Sequence, residues 1–99
     1  MLTIDKIAEG KKLTIKLEGR LDTPTAPMLE KELKRDIGEV EDLVFDFEKL
    51  DYVSSAGLRV LLAAHKVMER QGKMTVRNVN DGINDIFELT GFVDILNIE

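Results

Sequence analysis

From Leu13 to Gly19 the chain alternates strictly, with Leu13, Ile15 and Leu17 on one face of an extended segment and Thr14, Lys16 and Glu18 on the other. That is the pattern of a half-buried strand. The preceding LTIDKIAEG alternates more weakly and is predicted to pair with it through a turn near Gly10 and Lys11, giving an N-terminal hairpin. The period then lengthens. Ala26, Leu29, Leu33 and Ile37 form one apolar stripe of a helix, with Thr23 or Thr25 as its cap, Pro24 or Pro27 in a first turn that needs no amide hydrogen, and Gly38 as its stop.

The next run, DLVFDF, is almost continuously apolar, as expected of a central strand covered on both faces. A second helix is predicted from Ala56 to Gln71, ended by Gly72; its first half, LRVLLAAHKVM, is apolar nearly all round and should be more enclosed than an ordinary surface helix. KMTVRNV reads as a short strand. In NDGINDIFELTGF, Asn80 or Asp81 caps a third helix whose core residues are Ile83, Ile86, Phe87 and Leu89, with Gly91 as stop and Phe92 as hydrophobic anchor. VDILNIE adds an edge strand or a short helix. The order strand, strand, helix, strand, helix, strand, helix predicts an undivided α/β domain over residues 1–99, a mixed sheet of four to five strands with helices packed on it.

Composition narrows what such a domain can do. With 43% apolar and 33% charged residues it has the make-up of a soluble globular domain. The net charge is -5 with both signs interleaved, and the short basic groups Lys11-Lys12 and Lys34-Arg35 sit beside carboxylates. No Lys/Arg stripe exists to displace counterions, so nucleic acid is not an expected partner. The absence of cysteine removes disulfides, thiolate metal sites and thiol nucleophiles. The start, MLTIDKIAEGKKL, lacks the charged and apolar segments of a secretory signal, and no run approaches the roughly 20 apolar residues that span a bilayer, so a cytoplasmic protein without membrane insertion is expected.

The segment with chemical content is DYVSSAGLRVLL, residues 51–62, where a strand gives way to a helix. One serine of Ser54-Ser55 can cap that helix, worth about 1 kcal/mol. This leaves the other serine and Gly57 unexplained, since glycine in a helix costs up to about 1 kcal/mol relative to alanine. A glycine there is expected to keep the helix mouth open to a large approaching group. The free amides and partial positive charge of a helix N-terminus tolerate a phosphate, so Ser55 can be read as a phosphoacceptor as well as a plain first-turn residue.

Enzymatic readings fail on spacing. His65, the single histidine, lies ten residues along the same helix from Ser55, about 15 Å of axial rise, out of hydrogen-bond reach. Asp46 resembles the phosphoaccepting aspartate of receiver domains but lacks the acidic pair before it and the lysine after it. Asp46, Glu48 and Asp51 are scattered carboxylates of the kind that usually serve solvation rather than a magnesium ion. Gly10, Gly19 and Gly91 mark turns and belong to no Gly-rich nucleotide motif. No catalytic residue, metal or cofactor is expected.

Taken with the upstream GRLDTPTAP, in which Gly19 and Asp22 form the GRLD turn, the strand LVFDF and the closing FELTGFVDIL, the Ser-Ser turn resembles the STAS domain family. The likeness is to its small stand-alone anti-sigma factor antagonists and spans essentially the whole chain. Members of that branch carry Asp-Ser-Ser/Thr-Gly-Leu at the turn, and the serine after the aspartate is phosphorylated. Position by position, the resemblance implies Ser54 in place of the aspartate, Ser55 as phosphoacceptor, Ala56 in place of the second hydroxyl, and Gly57 and Leu58 on the Gly-Leu. Loss of the carboxylate makes Ser54 a competing acceptor, and Ala56 removes another.

The resemblance also implies a partner switch. Unphosphorylated, such a domain binds an anti-sigma factor that is its serine kinase and so frees a sigma factor; phosphorylated, it lets go until a metal-dependent serine phosphatase restores it. ATP and magnesium belong to the kinase. Asp22, Ser54, Gly57, Leu58 and Arg59 are the expected partner-binding residues around Ser55, with competing roles for Leu58 in the core, Asp22 as a helix cap and Arg59 as a solvated charge. The alternative is an unphosphorylated STAS scaffold within a larger sensory or membrane-lipid transport assembly; direct nucleotide binding is a third reading.

Overall fold

The computed structural model describes all residues, Met1–Glu99. Leu2–Glu9 (β1) and Lys12–Leu21 (β2) form the antiparallel hairpin, turning at Gly10, whose φ of 61° lies in the left-handed region that glycine enters without strain. Asp42–Val53 (β3), Lys73–Arg77 (β4) and Asn97–Ile98 (β5) then add in parallel, so the sheet order follows the chain, β1-β2-β3-β4-β5. Ala26–Asp36 (α1), Ser55–Gln71 (α2) and Asp81–Thr90 (α3) make the three crossovers that parallel neighbours require. The C-terminal VDILNIE supplies both expected forms, a 3-10 turn over Phe92–Asp94 and the β5 edge.

Register assigns the faces. Leu13, Leu43 and Met74 lie abreast, as do Ile15, Phe45 and Val76, and all are at most 5% exposed. With Leu29 and Leu33 of α1, Leu58 and Leu61 of α2, and Ile83 and Phe87 of α3, they form one cluster of 25 residues. DLVFDF is covered on both faces as expected, with Val44 and Asp46 buried as well as Leu43, Phe45 and Phe47, but only one of those faces belongs to the apolar core. Its second row, Asp42, Val44 and Asp46, lies between Lys12, Thr14 and Lys16 on one side and Lys73, Thr75 and Arg77 on the other, and Val44 stands outside the cluster. That face is closed by neighbouring strand side chains, largely polar.

β3 is also longer than the apolar run suggested. It continues through Glu48–Val53, placing Leu50 and Val53 in the core, and irregular pairing against β2 falls between Lys16 and Glu18. The charged EKLD masks this extension in the sequence. Gly19 accordingly sits within β2, not in a turn; only Asp22 of GRLD leaves the strand.

α2 buries Gly57, Leu58, Val60, Leu61, Ala64 and Met68 but exposes Arg59, Ala63, Lys66 and Val67, so it is one-sided rather than enclosed all round. Its end is fixed to the α1–β3 loop by the Gln71 amide, which donates to the Ile37 carbonyl at 2.9 Å and the Val40 carbonyl at 2.8 Å. In α3, Asn80 is the cap, its Oδ1 accepting from the Ile83 amide at 2.8 Å while its Nδ2 donates to the Leu50 carbonyl. Ile83 and Phe87 are core and Ile86 packs at its margin, but Leu89 is 87% exposed, two positions round from Phe87 and off the buried stripe. No helix is long and apolar enough to cross a membrane.

Candidate functional site

Parallel pairing brings the ends of β2 and β3 together. Leu21 lies beside Val53, and the Ser54 amide donates to the Leu21 carbonyl at 2.8 Å. The turn into α1 and the turn into α2 therefore share one end of the sheet, the carboxyl end of parallel strands where α/β proteins place their sites. The two motifs noticed in the sequence, GRLD and DYVSSAGL, are brought side by side by this register.

The two serines divide the available roles. Ser54 is the cap: its backbone is extended (φ -91°, ψ 175°) and its Oγ accepts from the Gly57 amide at 3.3 Å. Ser55 is the first residue of α2, exposed, and its hydroxyl takes part in none of the side-chain hydrogen bonds of the domain. The first intrahelical amide to be satisfied here is that of Leu58, bonded to the Ser54 carbonyl, so with Gly57 capped the amides of Ser55 and Ala56 remain free at the helix mouth.

Two expected partner contacts are corrected. Gly57 does not open the helix mouth. It is buried, and a Cβ built on it would stand 2.7 Å from Leu21 Cγ and 3.0 Å from the Leu21 carbonyl oxygen, so glycine is required because α2 presses directly on the end of β2. Leu58 is only 6% exposed and belongs to the core, the competing role considered for it. Arg59 is exposed and free of ion pairs.

Asp22 braces the turn into α1. Its Oδ1 accepts from the Thr25 hydroxyl at 2.9 Å and the Thr25 amide at 3.3 Å, and the Thr25 hydroxyl bond is the main reason its carboxyl is held below the ordinary aspartate range; burial opposes this and the Arg20 charge supports it. Thr25 is the N-cap residue of α1 but caps nothing with its own side chain, because Oγ1 is committed to the Arg20 carbonyl and Asp22.

Sequence reasoning missed Arg20 and Tyr52. Arg20 Nε lies 3.5 Å from Asp22 Oδ2, and its guanidinium carbon lies 4.4 Å from the centre of the Tyr52 ring. The signal was present: Leu21 and Val53 point inward, so by strand parity their abreast predecessors Arg20 and Tyr52 point outward beside the serine turn.

The remaining candidates do not join this site. α2 is unbroken from Ser55 to Gln71, which keeps His65 about 15 Å along the axis; its Nε2 faces Glu69 at 3.8 Å instead. Asp46 Oδ1 accepts from the Asn78 amide at 2.9 Å and the Glu48 amide at 3.0 Å, and Arg77 lies 3.9 Å from Oδ2, so its carboxylate stitches β3 to the end of β4. Surface cavities lie elsewhere: about 390 Å³ beside Met28 and Arg35, about 370 Å³ around Lys12 and Asp36, about 340 Å³ at Gly38 and Gln71, about 220 Å³ on the polar sheet face around Lys16 and Asp46, and about 150 Å³ between α1 and α2. None of these cavities is lined by a residue from Ser54 to Arg59, so the exposed Ser55 and Arg59 offer a surface for docking rather than an enclosure for a small molecule.

Comparison with known proteins gives one consistent result. The STAS domain family matches residues 3–99. BtrV of Bordetella bronchiseptica, a candidate anti-sigma factor antagonist, is 38% identical over 96 residues, covering 95% of this chain and 81% of BtrV. An anti-sigma-B factor antagonist of Staphylococcus aureus is 30% identical over 100 residues, covering 98% of this chain and 92% of its own. Among solved structures, an anti-sigma factor antagonist from Mycobacterium paratuberculosis superposes with a TM-score of 0.89 at 20% identity, covering 99% of this chain and 85% of that one. The Bacillus cell fate determinant SpoIIAA in its phosphorylated form superposes at 0.75 with 19% identity over 100% of this chain and 91% of its own. These structural likenesses speak for the fold.

Proposed function

The chain belongs to the STAS domain family, and on that premise we propose that it is an anti-sigma factor antagonist, a binding protein of the cytoplasm rather than an enzyme, switched by phosphorylation of Ser55. Unmodified, it docks its serine lip on an anti-sigma factor that is also a serine kinase, and a sigma factor is released. Phosphorylated, it dissociates, and a metal-dependent serine phosphatase returns it to the binding form. The observation that carries this reading is the division of labour at the helix mouth: Ser54 holds the cap, leaving Ser55 exposed, unbonded and beside two free amides.

Magnitudes decide how the switch works. A helix terminus stabilises an anion by about 0.3–1 kcal/mol, up to about 2 when partly buried. A thousandfold loss of affinity needs about 4 kcal/mol. The effect inside the domain is too small, and of the wrong sign, to unfold the site. Placing about -1.5 to -2 charge at the centre of a packed interface is large enough, because the phosphate must be desolvated against partner groups not arranged for it. The fold persists and the interface is lost.

The experiment is exhaustive treatment with the anti-sigma factor kinase and ATP, followed by mass spectrometry of the intact chain and its peptides. One phosphate, mapped to Ser55, supports the switch. A phosphate on Ser54 would refute the division of roles, and none at all would favour a docking-only scaffold.

A further inference from the structure

Arg59 follows Ser55 by four residues on α2, and both are exposed. That spacing stacks two side chains on one helix face. Helical side chains lean toward the N-terminus, so a long side chain at 59 lies over the turn that holds Ser55. Building on the reading of Ser55 as phosphoacceptor, we propose that Arg59 closes on the Ser55 phosphoryl group and holds it within the same chain, between its guanidinium and the free amides of the first turn.

The chemistry matches. A planar guanidinium offers paired N–H donors to two phosphate oxygens, and an anion placed four residues N-terminal to a cation is the favourable order on a helix. Arg59 is also uncommitted, having no ion pair or hydrogen bond in the unmodified domain. Another cation at this end of the sheet, Arg20, is already paired with Asp22 at 3.5 Å and laid over Tyr52. Of the nearby carboxylates, Asp22 is engaged by Thr25 and Asp51 is exposed on β3, while the cap itself, Ser54, is neutral and does not repel a phosphate.

The consequence is a second arm to the switch. The guanidinium that an unmodified domain presents to a docked partner is withdrawn onto the phosphate, so modification adds negative charge and removes a positive contact at once.

The test is phosphorus NMR on protein carrying phosphoserine installed at position 55 during synthesis, which needs no kinase. The second ionisation of phosphoserine falls near pH 6. In the chain with Arg59 it is expected about half a pH unit lower than in Arg59→Ala, a roughly threefold change in proton affinity. Arg59→Lys, which keeps the charge without the fork, is expected between the two. Three curves coinciding within about a tenth of a unit would overturn the clamp while leaving the kinase result untouched; a kinase that ignores Ser55 would overturn the functional reading while leaving this titration standing.

Discussion

The close approach of α2 to β2 at Gly57 makes a prediction that two glycines in two helices answer with opposite signs. In Gly57→Ala the new Cβ would meet Leu21 Cγ at 2.7 Å, Leu21 Cδ2 at 3.0 Å and the Leu21 carbonyl oxygen at 3.0 Å. Favourable carbon contacts lie near 3.5–4.0 Å, so the helix start must move by the better part of an ångström. Leu21 cannot turn aside: it is wholly buried, and its carbonyl already receives the Ser54 amide at 2.8 Å.

Overpacking of this kind costs about 1–3 kcal/mol, and the better helix propensity of alanine returns up to about 1. The net expectation is a loss of about 1–2 kcal/mol. Gly82, in the first turn of α3, has only Asn80 Oδ1 at 3.5 Å, an ordinary contact, so Gly82→Ala is expected to gain about 0.4–1 kcal/mol. Urea unfolding reads both as midpoint shifts at unchanged slope. In a domain of this length each kcal/mol moves the melting temperature by about 4–8 °C. A Gly57→Ala midpoint equal to or above that of the unaltered chain would refute the packing argument.

Other substitutions probe the site and the sheet. Ser54→Ala is expected to destabilise by about 0.5–1 kcal/mol, the value of a cap whose bond is long, and to leave phosphate incorporation at Ser55 intact; loss of incorporation would show that Ser54 is itself the acceptor. Asp46 concerns pH. Burial, the largest single influence on its carboxyl, pushes it up, but the Asn78 and Glu48 amides and the Arg77 charge outweigh burial and hold it below the ordinary aspartate value. A depressed carboxyl contributes stability that is whole above the unfolded-state value near pH 4 and lost as pH falls through the folded value. The stability gap between the unaltered chain and Asp46→Asn is therefore expected to narrow in urea titrations below about pH 4, and a constant gap would contradict the assignment.

The order of elements and the location of the serine lip were legible in the sequence because each rests on local signals: the alternation of residues 13 to 19, the stripe of α1, the Ser-Ser turn between two periodicities. What was not legible depends on which segments touch. Gly57 looks the same in sequence whether it frees space or fills a gap against Leu21, and only the β2–β3 register decides between them. Leu58 and Arg59, adjacent in the motif, separate into core and surface by one helical step of about 100°. The charged EKLD concealed the continuation of β3, and with it the place of Tyr52 beside Arg20. Leu89 was drawn into the predicted core by its residue type although it lies off the stripe set by Ile83 and Phe87.

Phosphorylation of Ser55 as the switch is tested most directly by the affinity of the domain for an anti-sigma factor, measured by calorimetry with the chain unmodified and with phosphoserine fixed at position 55. The unmodified chain is expected to bind and the phosphorylated chain to bind about a thousandfold more weakly, a difference of about 4 kcal/mol, with the same circular dichroism and unfolding midpoint within about 1 kcal/mol. Equal affinities for the two forms, or a phosphorylated chain that has lost its fold, would contradict it.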